Sequence, residues 1–293
     1  MQSNDTETEL SELDPKWGEL SAWHDPRTLA NFRARPTDIL ITTAAKAGTT
    51  WMQQILHQLR TGGDDRFRYI DDVVPWLEIP HLGKSWQAQL AEFEALENPR
   101  IFKTHCTYPQ TPGIGTARYI LTSRDPRDCC VSFYHHLMDM TDEAREQFDL
   151  KAPDSFDSFF EEWLAFAGWY RNVESWWPHY RDEDVLWLRF EDLKRDLKGS
   201  IGQILDFLGW SITNDQLNRV LELCSFKWMK ENAQRFMHHS EHGVPHFKAD
   251  GFIRRGQTGD GKALLTAEQE KRVLDLARDR LEPDCLEFLG INR

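Results

Sequence analysis

A short apolar run that breaks into a turn of small residues and resumes as a helix constrains this chain more than any other feature. Asp38-Ile-Leu-Ile-Thr-Thr43 has the length and unalternating apolar character of a buried strand. Ala44-Ala-Lys-Ala-Gly48 follows as a turn. Thr49 to Arg60 then carries apolar side chains at Trp51, Ile55, Leu56 and Leu59, the spacing of one helix face. Successive backbone N–H groups in such a turn curl around an anion, and the start of the following helix favours negative charge. Thr49 and Thr50 add hydroxyl donors, and Lys46 adds a point charge. The segment is not a G-x-x-x-x-G-K-[ST] phosphate loop, because its lysine precedes the glycine and no Lys-Ser or Lys-Thr pair follows. Alone, it also fits an ordinary strand–helix turn with an exposed lysine.

Three further strands are predicted at Arg100–Thr104, Arg118–Ser123 and Asp184–Phe190. After the third segment of this set of four, Asp125 is placed to cap a helix and Pro126 to occupy its first position. Helical spacing recurs near residues 155–180, 199–208, 213–223 and 266–281. Strands alternating with helices predict an α/β fold, a mostly parallel central sheet flanked by helices. Ligands of such sheets bind beyond the carboxyl ends of the strands. Lys46, His105 and Arg124 all fall just past predicted strand ends. No Gly/Ser/Pro-rich linker or internal repeat divides the chain, so residues 15–293 read as one domain. Residues 1–14, polar and acidic with little to bury, read as a disordered tail.

Charge limits the partners. A net charge of −13 argues against nucleic-acid binding and polybasic membrane docking, whose phosphate contacts need a surplus of Lys and Arg. Any anionic ligand must therefore be held by a local cluster of cations. The five cysteines are odd in number and form no C-x-x-C, which fits neither a disulfide framework nor a zinc site and predicts a reduced, cytoplasmic setting. No apolar h-region opens the chain and no run of about 18 apolar residues occurs, so neither a signal peptide nor a membrane span is expected.

Other segments supply cations and a base. On an extended segment, Lys103 and His105 in Pro99-Arg-Ile-Phe-Lys-Thr-His105 point the same way. A histidine suits deprotonation of a hydroxyl near neutral pH. Arg124-Asp-Pro-Arg-Asp-Cys-Cys-Val-Ser132 and Gly251-Phe-Ile-Arg-Arg-Gly-Gln-Thr-Gly-Asp260 each offer guanidinium groups, which suit phosphates through bidentate contacts. Singly, each also fits a surface salt bridge or a structural histidine.

Together and in this order, these four segments resemble the nucleotide-dependent, cytosolic-type sulfotransferases, which use 3′-phosphoadenosine 5′-phosphosulfate (PAPS) as donor. Thr43–Trp51 resembles that family's P-loop-like phosphosulfate loop, and Lys103-Thr-His105 its K-T-H segment. Arg124 to Ser132 matches R-x-P-x-D-x-x-V-S, and Arg254-Arg-Gly-Gln-Thr-Gly-Asp260 the R-K/R-G-x-x-G-D segment. Glu191-Asp-Leu and Ser225-Phe-x-x-Met229 extend the likeness over roughly residues 36 to 275. The resemblance implies a sulfotransferase releasing 3′-phosphoadenosine 5′-phosphate (PAP), with no metal required. It implies that Lys46 steadies the leaving oxygen, that His105 takes the acceptor's proton, and that Lys103 neutralises the moving sulfuryl group. Lys46, Ala47, Gly48, Thr49 and Thr50 would form the phosphosulfate loop. Arg124, Ser132, Arg254, Arg255 and Gly256 would hold the 3′-phosphate. Trp51 and Phe226 would lie against adenine, with Cys224 and Phe252 completing the nucleotide site.

The chain departs from the family at Phe190 for tyrosine, Cys224 for threonine and Gly261 for tryptophan. The dimerisation segment, Lys262 to Lys271, has Ala267 for valine and Lys271 for glutamate, so a homodimer by that route is left open. The acceptor is expected to be a small, apolar or aromatic molecule with a hydroxyl or amine. Trp76, Trp86, Phe133, Phe236 and Met237 fit either its walls or the core. Trp163, Trp169, Trp176 and Trp177 are expected in the core. His238, His239, His242 and His246 match no standard metal spacing and read as a mobile loop near the acceptor. A kinase would need a glycine–lysine pair and a magnesium carboxylate that are missing here. A silent scaffold on the same fold would be expected to lack Lys46 or His105.

Overall fold

The computed structural model describes residues 10–81, 83–239, 244–248 and 251–291. Residues 1–9 of the acidic tail and His242 of the histidine group lie outside the described residues.

The predicted strands form as β1 (Ile39–Thr42), β2 (Ile101–Thr104), β3 (Arg118–Ser123) and β4 (Val185–Arg189). They make one sheet in the order β2-β1-β3-β4, with every neighbouring pair parallel. The absence of alternation in the sequence has a direct cause: both faces are buried. Leu40, Phe102, Tyr119, Leu121, Val185 and Trp187 enter one apolar core, and Ile39, Ile41, Ile101, Ile120 and Leu188 enter another on the opposite face. At the amino ends of β1 and β2, Asp38 and Arg100 form a fully buried bidentate pair, with Nε donating to Oδ1 at 2.9 Å.

Helices α1 (Thr49–Thr61), α2 (Pro126–Met138), α3 (Phe156–Phe166), α4 (Gly168–Trp176), α5 (Leu197–Leu208), α6 (Asn214–Leu223) and α7 (Ala267–Arg280) cover the sheet. The second core takes Met52, Ile55, Leu56 and Leu59 of α1 with Ile201 and Ile204 of α5. The first takes Cys129 and Val131 of α2, Phe160 of α3, Tyr170 and Trp176 of α4 and Val273 of α7. As expected, Pro126 opens α2 and the Asp125 side chain accepts from the Arg127 N–H at 2.9 Å. The periodic stretch at 155–180 is not one helix. Ala167, at φ 53°, ends α3 and starts α4, and a 3₁₀ turn follows at Trp177–His179.

The edge of β2 carries an addition that sequence periodicity does not show. Lys103 donates its N–H to Pro75 O and accepts from the Leu77 N–H, both at 2.9 Å. This pairing brings Asp71, Trp76 and Glu78 to the carboxyl end of the sheet. Among the described residues, no helix is long and apolar enough to cross a membrane.

Candidate active site

The turn after β1 is shaped for an anion by its backbone. Lys46 sits in the left-handed region at φ 67°, and Gly48 at φ 108°. A Cβ on Gly48 would stand 3.0 Å from Phe190 Cδ2 and 3.4 Å from Thr122 Oγ1, so only glycine fits. Gly48 gives α1 no side-chain cap, and the buried Thr49 hydroxyl has no hydrogen-bond partner among the described residues. Donors therefore stand open at the start of a helix.

These donors face a cavity of about 1240 Å³. Lys46, Gly48, Thr49, Thr50, Trp51, Lys103, His105, Arg124, Ser132, Cys224, Phe226, Phe252, Arg254, Arg255 and Gly256 all line it. Ala47 does not: its side chain is fully buried, and its N–H is engaged with Ala44 O at 3.2 Å. Of the other aromatic candidates, Trp76 and Phe133 reach the cavity, whereas Phe236 and Met237 are buried in cores. Trp163 and Trp169, expected in the core, pack there and also line the cavity.

Around the turn, the side chains are oriented by groups far away in sequence. Lys46 Nζ lies 3.0 Å from Nδ1 of His136 on α2 and 5.6 Å from the Phe252 ring centroid. Burial, reinforced by the Arg124 and Lys103 cations, pushes the Lys46 pKa down to about 7. His105 has its Nδ1 2.6 Å from Thr43 O. A carbonyl only accepts, so Nδ1 carries the hydrogen and Nε2 keeps its lone pair. The His105 backbone N–H donates to Glu78 Oε1 at 2.7 Å. Burial lowers the pKa of His105 against the opposing pull of Glu78, so the ring is neutral at pH 7.

Lys103 Nζ lies 3.3 Å from His238 Nε2, 3.6 Å from Asp71 Oδ1 and 4.5 Å from the Trp76 ring centroid. His238 in turn donates from Nδ1 to Asp71 Oδ2, which leaves Nε2 to accept from the lysine. Burial pushes the Asp71 carboxyl up, but His238 and Lys103 overcome it and hold the group well below the usual carboxylate range. Burial depresses the pKa of Lys103.

A second group of cations lines the same cavity. Arg124 is buried; its Nη2 donates to Gln257 O at 2.7 Å, and its guanidinium lies 4.8 Å from the Phe190 ring. Its Nε has no partner among the described residues. Asp128, 3.5 Å from Arg124, accepts the N–H groups of Gly259 at 2.8 Å and Gly261 at 2.7 Å. Asp260 pairs with Arg254 at 2.6 Å and with Arg255 at 3.8 Å. Gly256, at φ 56°, presses on the Phe226 ring, where a Cβ would meet Cδ2 at 2.4 Å. Trp51 donates from Nε1 to Cys224 O at 2.8 Å and meets Phe190 edge to face. Phe226 keeps 40% of its surface exposed.

No local pattern marks His136, Asp71 or Glu78, and His238 reads only as part of a loop. Lys46 and His136 are 90 residues apart, and Lys103 and His238 are 135 apart, so no local spacing reveals either contact. Among the described residues, no group of three or more His, Cys, Asp or Glu side chains is arranged to hold a metal ion.

A family model described as "Sulfotransferase domain" matches residues 36–282. Sulfotransferase 1A1 from Bos taurus is 32% identical over 253 residues, covering 83% of each chain. Its counterpart from Canis lupus familiaris is 31% identical over 255 residues, covering 84% of this chain and 83% of that one. Sulfotransferase 1C2 from Homo sapiens is 27% identical over 273 residues, covering 89% and 88%. The fold is shared with solved structures. A retinol dehydratase in complex with androsterone and inactive cofactor PAP superposes with a TM-score of 0.71 at 22% identity, covering 87% of this chain and 84% of that one. A mouse sulfotransferase complexed with PAP gives 0.70 at 21% identity, covering 90% and 91%.

Proposed function

This chain belongs to the sulfotransferase family, and from that premise we propose that it transfers a sulfuryl group from PAPS to a hydroxyl or amine of a small apolar or aromatic acceptor. The observation that carries the reading is one constellation. Lys46, Lys103, Arg124 and the lone-pair nitrogen of His105 stand at the carboxyl ends of β1, β2 and β3 around one cavity.

The residues fit the donor. A multiply charged nucleotide needs unsatisfied donors and cations in an otherwise acidic protein, and the unpartnered Thr49 hydroxyl and Arg124 Nε are such donors. The donor, when bound, supplies the sulfuryl group and the PAP that departs from it. The α1 turn holds the 5′-phosphate end, and Arg124, Ser132, Arg254, Arg255 and Gly256 hold the 3′-phosphate. Trp51 and Phe226 flank the base. His105 Nε2 accepts the acceptor's proton, with Thr43 O keeping the ring in the required tautomer. Lys103 offsets charge on the moving group, and Lys46 offsets charge on the oxygen left behind. Transfer of this kind depends on positioning and electrostatics more than on covalent chemistry by the protein. The five buried, unpaired cysteines suit a reducing compartment, and the cytoplasm is our reading of its location.

Calorimetry with PAP, ADP and 5′-AMP, beside transfer of isotope-labelled sulfuryl, tests this reading. PAP should bind at least about tenfold more tightly than 5′-AMP, because one charge-assisted hydrogen bond contributes about 1.5–3 kcal/mol. Equal affinities would remove the role of the Arg124 and Arg254 group. A kinase-like preference for ADP would redirect the assignment.

PAP binding should also move a proton. With its pKa at about 7, Lys46 is mostly neutral at pH 8 in the free protein, and an adjacent phosphate raises that pKa again. Binding at pH 8 should therefore take up close to one proton, seen as a dependence of binding heat on the buffer's ionisation enthalpy. Lys46→Met should abolish the uptake. An uptake that persists unchanged in that variant would assign the proton elsewhere.

A further inference from the structure

His246 lines the cavity, is 5% exposed, and has no partner at either ring nitrogen among the described residues. Its backbone is fully engaged. The N–H donates to His238 O at 3.0 Å, and the carbonyl accepts from the Thr141 N–H at 2.9 Å. The ring is thus held in place with one N–H and one lone pair unused. Among the described residues, the ring's aromatic neighbour is Phe148, which belongs to a small apolar core with Met140, Met237 and Phe247. A buried imidazole with neither nitrogen satisfied is costly unless something else completes it.

A continuous aromatic strip leads from this ring to the reacting histidine. His246 meets Phe148 edge to face at 5.3 Å, and Phe148 stacks on Trp23 at 4.0 Å. Trp23 lies 6.2 Å from Trp76, which meets His105 edge to face at 5.0 Å. All five rings line the same cavity. One wall of the cavity is therefore aromatic along its length, with an imidazole at each end and the unpartnered Trp76 Nε1 as a polar atom between them.

We infer that the acceptor is an elongated, flat, apolar molecule with two neutral polar groups, a reacting hydroxyl at His105 and a second hydroxyl or carbonyl that hydrogen-bonds His246. This inference rests on the proposed acceptor chemistry and narrows its substrate class. Burial holds the His246 pKa down to about 4, so the ring is neutral at pH 7 and presents one donor and one acceptor. That pairing matches a hydroxyl, or a carbonyl through the donor alone, better than a carboxylate.

The test compares a rigid polycyclic phenol with its counterpart bearing a second hydroxyl at the far end, each at saturating PAPS. In the wild-type protein the diol should have a kcat/KM about tenfold higher, because a site built around a hydroxyl discriminates against the analogue lacking it. In H246F and H246L the ratio should fall to near one. The ratio is taken within each protein, so a general loss of activity cancels, and two variants of different shape guard against one failing to fold. A wild-type ratio near one overturns the inference, as does a preference that survives in both variants. Transfer to amines alone would overturn this inference and leave the proposed function standing, whereas absence of transfer to every hydroxyl and amine acceptor would overturn both.

Discussion

His105→Ala is expected to lower turnover by about 10²–10⁴-fold, the usual contribution of a positioned general base. Affinity for PAP should stay nearly unchanged, because the ring's hydrogen bond is to Thr43 O and its aromatic neighbour is Trp76, neither of them a residue assigned to the nucleotide. The wild-type pH profile offers an independent check. His105 is depressed below its usual value by burial, so its neutral form fills the range from pH 6.5 upward. Protonation removes the Nε2 lone pair, so kcat/KM for the acceptor should fall only as the pH drops below 6.5. Single-turnover transfer beside PAP calorimetry decides the matter. Near-normal turnover in the alanine variant, with a saturating hydroxyl acceptor, would leave His105 a structural residue.

Lys46→Ala should cut kcat by about 10²–10³-fold, the loss seen when one donor to a developing negative charge is removed. Donor affinity should fall less, since backbone N–H groups at the head of α1 remain to hold the phosphate. The structure adds a reason for this split. Nζ is already directed by His136 and flanked by Phe252, so its charge arrives oriented rather than searching for its place. Lys46→Arg should rescue only in part, because a planar fork does not reproduce a compact ammonium in this space. A variant that binds PAP tenfold worse yet transfers at the normal rate once saturated would make Lys46 a binding residue alone.

Much of the scaffold was legible because its signals are local. Four apolar runs with both faces buried appear as strands at nearly their observed bounds, and Asp125-Pro126 marks a helix start in two letters. Helix Trp86–Ala95 leaves no legible pattern, and its burial explains why: only Gln89 and Phe93 are buried, too thin an apolar stripe to detect. The break at Ala167 escaped because apolar spacing continues across it while the backbone turns left-handed without a glycine. At the site, the residues that carry charge were visible as segments, but those that aim them were not. Asp71 and Glu78 reach the site through the pairing of residues 75–77 with the edge of β2, a contact set by the sheet rather than by any motif.

Asp128 has a consequence for how the nucleotide is received. Its two oxygens tie the Gly259 and Gly261 N–H groups to α2. The arginine-bearing stretch is therefore a standing wall, and little chain entropy remains to be lost when a ligand meets it. Fixing one residue's backbone costs about 1–2 kcal/mol, so a strap that had to order itself on contact would forfeit several such increments of affinity. Here that cost is met during folding. On the proposed assignment of Arg254 and Arg255, the nucleotide would meet a surface already held to α2 through Asp128.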